Sequence, residues 1–268
     1  MIAPTPTPAA LPPTQAIVAH AYDRMRSYGT PPYVVYLASE NGDTYRIAFR
    51  ASDEMMNQTQ YSPNRTSLAP AAVYRAFVGP LSITVHQAVV AEPSASASAT
   101  PASTGGDLSN GLLSDLKTIA VVSARARPVY TAKDHGLETI DGHSTDRIEL
   151  SPVSDPARYT LRDLWIDTTT YDVRRADYIT RDPNVPDATV YLTVNFVQVG
   201  PYWIAARWVA IYHFIGQQPP IYRELKLVKM RFPDALPDWL FNQRGYELHY
   251  MAGSPDPLAH IFDGQASP

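Results

Sequence analysis

Between residues 189 and 196 the chain alternates strictly. Val190, Leu192, Val194 and Phe196 fall on one side of an extended strand, opposite Thr189, Tyr191, Thr193 and Asn195. Gly200-Pro201 signals a turn, after which Ile204, Ala206, Trp208, Ala210, Tyr212 and Phe214 share a second apolar face. Gln217 to Pro220 turns the chain again, and Ile221 to Phe232 reads as the last long strand. Nearer the start, Tyr33 to Ser39 and Thr44 to Arg50 flank Asn41-Gly42, a strong hairpin signal; Tyr45, Ile47 and Phe49 alternate there with Arg46, Ala48 and Arg50. Residues 137–178 predict three or four strands in meander order. Their turns are Asp141-Gly142, Ser151-Pro152 through Asp155-Pro156, and Asp167 to Thr170. Within 161–167, Leu161 and Trp165 are expected on one face and Leu164 and Ile166 on the other.

Helical period is rarer. Thr14 can cap a helix over 14–28, with Ile17, Val18, Ala21, Tyr22 and Met25 on one face and Gly29 as the stop. Leu68 to Val78 predicts a short helix, with Pro70 in its first turn and Gly79-Pro80 at its end. Residues 55–61 suggest a third strand, and 81–90 read equally as strand or loop. Asp107 to Lys117 suggests a short helical turn, and Thr118 to Tyr130 a strand. The small-residue run 91–106 cannot bury enough surface to order itself and reads as a mobile loop. It could also link two domains, but the first 90 residues hold too few strands to close a barrel alone. With roughly ten strands on short connections, the expected class is mainly β (α+β). A sheet this large must curl, close or split, so a strongly curved antiparallel sheet or unclosed β-barrel is expected, with the helices plugging its concave side as a lid. The expected division is an N-terminal arm over 1–13, one domain over 14–241 and a weakly ordered tail over 242–268.

Composition narrows the classes. Apolar residues make up 45% and charged residues 18%, which is too greasy for a disordered chain. A net charge of −4 with scattered Lys and Arg offers no basic stripe for nucleic acid. The absence of cysteine excludes disulfides and thiolate metal sites. No apolar run reaches the ~18 residues of a membrane-spanning helix. Residues 1–13 lack the basic and apolar regions of a signal peptide; they look like the arm left after one is cleaved, or a disordered cytosolic tail.

Candidate chemistry is sparse. His135, Asp141, His143 and Asp146 cluster in sequence, but their spacing fits no metal signature, and Asp141-Gly142 is already a turn. Asp163 and Asp167 share a strand. Asp163 is expected to pair with arginines among Arg158, Arg162 and Arg174, and Asp167 to open a turn. No G-x-S-x-G surrounds a serine, and no lysine follows Gly105-Gly106 as in a phosphate-binding loop. His213, within a strand, reads as hydrogen-bonded structure, and His20, on the helix, reads equally as solvent-exposed. Catalytic residues, metal ligands and cofactors are therefore all assigned as none.

The run Glu138-x-x-Asp141-Gly142, then Ile148-x-Leu150-x-Pro152, then Leu164-Trp165-Ile166-Asp167 with Thr170 and Val173-x-Arg175 resembles the central meander of the bacterial LolA/LolB-like lipoprotein-carrier superfamily. The ending Leu236-Pro237-Asp238-Trp239-Leu240-Phe241 resembles the close of many members, and the likeness covers most of 14–241. It implies an unclosed barrel with a helical lid that binds acyl chains or another hydrophobic ligand outside the cytoplasm. It implies no catalysis. The implied partners are a lipid or acylated protein and an envelope protein, in the periplasm. The lid-holding arginine of the best-known carriers has no position assigned by this sequence, so a cargo other than a lipoprotein is favoured. The expected cavity lining is Tyr45, Ile47, Phe49, Trp165, Val190, Leu192, Val194, Phe196, Trp208, Tyr212 and Phe214. An acyl chain gains ~0.8 kcal/mol per buried CH₂, so few polar contacts are needed. The competing expectation is that these side chains fill a solid core and the chain is a structural or interaction module of the envelope.

Overall fold

A computed structural model describes residues 13–40, 43–52, 55–61, 73–79, 82–88, 105–120, 128–182, 185–216 and 219–263. A helix α1 (Pro13–Ser27) precedes five strands, β1 (Tyr33–Glu40), β2 (Asp43–Arg50), β3 (Met55–Tyr61), β4 (Val73–Gly79) and β5 (Ser82–Ala88). Helix α2 (Gly105–Ala120) leads to seven more: β6 (Tyr130–Ile140), β7 (His143–Pro152), β8 (Leu161–Asp167), β9 (Val173–Asp182), β10 (Val185–Val199), β11 (Tyr202–Phe214) and β12 (Ile221–Arg231). A 3-10 turn, Asp238–Phe241, and helix α3 (Gln243–Met251) close the chain.

The strands form a 12-stranded antiparallel sheet in the order β5-β4-β3-β2-β1-β12-β11-β10-β9-β8-β7-β6. Two meanders are joined where the first strand pairs with the last, Val35 opposite Arg231 and Tyr36 opposite Met230. The edges β5 and β6 do not pair with each other, so the sheet stays open. The chain leaves one edge and re-enters at the other, and α2 lies on this crossing. It packs against α1 and β11, burying Leu112, Leu116 and Ile119 beside Val18, Ala21 and Met25 of α1. Each residue set repeats at helical spacing, so each helix turns one greasy stripe to the sheet. The expectation of an open, curved antiparallel sheet with helices on its inner side is met.

Several local expectations change. Residues 73–79, read as part of a helix, form β4 between β3 and β5; Val73, Phe77 and Val78 suit a pleated strand, and 68–72 lie outside the described residues. Residues 82–88 resolve the strand-or-loop alternative as β5. Of the strand expected over 118–130, residues up to Ala120 are helix, because the Leu112–Leu116–Ile119 stripe continues the helical period, and Tyr130 opens a strand; 121–127 lie outside the described residues. Residues 1–12 of the arm, the pair Asn41-Gly42 and residues 91–104 of the low-complexity run lie outside the described residues. Asp141 (φ 50°) and Gly142 (φ 81°) form the expected turn, with both central residues left-handed and Ile140 facing His143.

Leu240 and Phe241 at the end of the expected domain, and Tyr246 and Leu258 from the expected tail, bury against Val35 and Ala48 on the outer face of the sheet. Asn242 caps α3 by accepting the Gly245 N–H through its side chain at 2.9 Å. A Cβ at Gly245 would lie 3.0 Å from the Trp239 Cβ and 3.1 Å from its Cα. Gly245→Ala gains about 1 kcal/mol of helix propensity but forces the helix off a backbone that cannot yield. A net destabilisation of about 1 kcal/mol is expected from urea unfolding, and an unchanged or raised midpoint would contradict this packing.

Candidate ligand-binding cleft

The inner face is built from cross-strand rows. Val194 faces Trp208, which faces Leu225, and all three are in the main core. Tyr45, Ile47, Phe49 and Phe196 lie in that core and Leu192 packs against it. Val190 faces Tyr212 across β10–β11, and alternation from Val194 and Trp208 sets Val190, Tyr212 and Phe214 on the same face. The Tyr212 and Phe214 rings stack 6.4 Å apart.

Trp165 is the exception, because the structure puts it on the outer face. The residue is 3% exposed, with the guanidiniums of Arg175 (4.2 Å) and Arg147 (5.3 Å) against its ring, and its Nε1–H donates to Glu138 at 2.7 Å. Leu161, expected to share its side, joins Leu164 and Ile166 in the core. A bulge between Leu161 and Asp163 inserts one residue and swaps the alternation. A second bulge, opposite the Asn195–Phe196 step, turns Trp203 and Ala205 inward with Trp208, where a regular strand would have turned Ile204 and Ala206.

Between the C-terminal end of α1, α2 and the β1–β2 and β11–β12 strands, a cleft of about 250 Å³ remains. Its floor includes Val34, Phe49, Trp203, Leu227 and Met230, and its helical wall Met25, Tyr28 and Leu113, with Arg26, Gly29 and Thr30 at the rim. Of the eleven residues expected to line a cavity, only Phe49 lines this cleft. Sequence reasoning missed Val34, Tyr36 and Trp203: a continuous apolar run at 33–37 hides which residues of β1 face inward, and the bulge misassigns β11.

One wall is latched. Asp172, at the β8–β9 turn and 2% exposed, accepts from Arg24 Nε at 2.9 Å, the Tyr28 hydroxyl at 2.7 Å and the Thr170 hydroxyl at 2.7 Å. Burial and the Asp172 hydrogen bond push the Tyr28 hydroxyl up to about 12, so it stays a donor. Tyr28 stacks on Trp203 at 5.3 Å, and Trp203 Nε1–H donates to the Val173 carbonyl at 3.0 Å. The latch thus ties the end of α1 to the cleft floor.

A second polar group lies under α2. Burial pushes the Asp115 carboxyl up to about 6. The nearby Tyr130 and Tyr178 hydroxyls are raised as well, first by their own burial and then by the Asp115 charge.

The remaining candidates disperse. Asp163 pairs at 3.0 Å with Arg147, not with Arg158, Arg162 or Arg174, because the register sets Arg147 diagonally across from it. Asp167 accepts the Thr169 and Thr170 N–H groups, as an opening turn residue should, and also pairs with Arg174 and His143. Although its burial raises it, these N–H groups and Arg174 hold its carboxyl below the usual range. His135 pairs with Glu149. Among the described residues no group of three His, Cys, Asp or Glu could hold a metal ion, and no helix is long and apolar enough to cross a membrane.

A family model described only as "Uncharacterized protein" matches residues 112–247. No curated protein matches the chain. Among solved structures it is similar to a domain from Vibrio parahaemolyticus described as an outer membrane lipoprotein-sorting protein (14% identity, 85% of this chain and 96% of that one, TM-score 0.42). It is also similar to a DUF1329 family protein from Desulfovibrio piger (15%, 87% and 98%, 0.41) and a LolA superfamily protein from Nitrosomonas europaea (14%, 86% and 98%, 0.36). The set includes the superfamily that the sequence resembles.

Proposed function

We propose, from the premise that this chain belongs to the uncharacterized family whose model spans residues 112–247, that it is a non-catalytic protein holding a lipid, an acyl chain or another hydrophobic ligand. The observation that carries this reading is the apolar cleft between the helical layer and the inner face. A wall of Met25, Leu113, Trp203 and Met230 favours a hydrocarbon and supplies no acid–base pair for chemistry. The sequence resemblance at 137–178 supports the same reading, with residues 14–241 acting as one unit outside the cytoplasm and an acylated protein or an envelope protein as partner.

The cleft is slightly smaller than the ~300 Å³ at which small-molecule sites begin. A larger cargo therefore requires α1 or α2 to move. That gives weight to a second reading, an envelope interaction module with a filled core, because Leu112, Leu116 and Ile119 already plug much of the inner face. Native mass spectrometry of protein purified without detergent, with displacement of a fluorescent fatty-acid probe, separates the two. The ligand reading expects a retained lipid or saturable displacement; neither, in well-folded protein, would leave the filled module.

A further inference from the structure

We infer that the ligand is a single-chain amphiphile with an anionic head, its tail in the cleft and its head on Arg26. This rests on the apolar-ligand reading above and names the class of ligand. Three observations lead to it. The first is size: about 250 Å³ admits one chain and is too small for the two or three chains of a lipid anchor. The second is the wall, which is hydrocarbon and aromatic from Met25 and Leu113 across to Trp203, Leu227 and Met230.

The third is charge. The nearby arginines are committed elsewhere, Arg24 to Asp172 and Arg174 to Asp167. Arg26 lines the same cleft, and the partner described for its guanidinium is the face of the Tyr22 ring at 5.4 Å. A cation–π contact uses the flat of the guanidinium and leaves its N–H edge free for a carboxylate or phosphate. An exposed head at the rim with a buried tail also matches the solvation each part prefers. The C-terminal dipole of α1 opposes an anion here, but it is a partial charge screened by water, and the full charge of Arg26 outweighs it.

Binding is read by Trp203 fluorescence and calorimetry with dodecanoate, dodecyl phosphate, dodecanol and dodecyltrimethylammonium, each kept below micelle formation. At least one anion is expected to bind about tenfold more tightly than the alcohol, equal to about 1.4 kcal/mol, with the cation weakest. The tighter of the two anions identifies the head as carboxylate or phosphate. Arg26→Gln is expected to remove the preference for anions, Arg26→Lys to retain most of it, and added salt to weaken it in the parent protein. Thermal unfolding checks that each variant is folded. Equal binding of alcohol and anions, or an anion preference that survives Arg26→Gln, overturns the assignment of the head and leaves the apolar-ligand reading standing. Failure of all four probes to bind removes both.

Discussion

Asp172→Ala is expected to lower the unfolding free energy by about 3 kcal/mol and to loosen the C-terminal half of α1. The carboxylate is almost completely buried and gathers donors from three side chains, two of them on or just after α1. Removing it leaves the Tyr28 hydroxyl without its acceptor beside the cleft and Arg24 without its counter-ion. The figure is at the low end for a broken buried pair because Arg24 reaches partly into solvent, where charge is cheaply solvated. In a chain of this length such a loss corresponds to a melting temperature lower by roughly 6–12 °C. Asp172→Asn retains an acceptor without charge and should fall between. Hydrogen exchange over residues 18–27 should accelerate in the alanine variant while the β10–β11 amides stay protected. An unchanged melting temperature, with α1 amides as slow as before, would show that apolar packing alone seats the helix.

The second large effect concerns pH. Asp115 titrates near 4 when unfolded, and burial under α2 raises it to about 6 in the folded protein. Between these values the folded state binds more protons than the unfolded one, so the contribution of this group is fully present below about pH 4 and is lost as pH rises through 6. The gap of about two units sets a ceiling near 3 kcal/mol; since the carboxyl retains some solvent contact, about 2 kcal/mol is expected. Asp115→Asn stays neutral at every pH. It should match the parent near pH 4 and exceed it by about 2 kcal/mol at pH 7.5 in urea unfolding. Parallel curves for the two proteins from pH 4 to 7.5 would place Asp115 in water and remove the argument. Because α2 carries Leu113 on the cleft wall, a loss of α2 amide protection above pH 6, measured relative to the intrinsic exchange rate at each pH, is expected in the parent and not in Asp115→Asn.

The latch and the buried acid share a property that explains why neither was legible in the sequence. Arg24 and Asp172 are far apart along the chain, and nothing in either neighbourhood marks a partner. Asp115 looks like an ordinary polar residue on an amphipathic helix; its altered proton affinity arises only when β6 and β9 close over it. The Trp165 misplacement has a different cause. A bulge shifts side-chain parity by one residue at no visible cost in the local pattern, so Leu161 and Trp203 turned inward against the simple alternation.

What the amino-acid order determined by itself was the β1–β2 hairpin and the strand run from Leu137 to Phe232, because period-two alternation and the Asp141-Gly142 and Gly200-Pro201 turns are written in neighbouring residues. The helical stripe of α1 was determined in the same way. What only the tertiary structure decided was the pairing of the first strand with the last, the passage of α2 across the inner face, and the small cleft left beside it. Those depend on contacts between residues separated by most of the chain, where burial and charge pairing outweigh local preference.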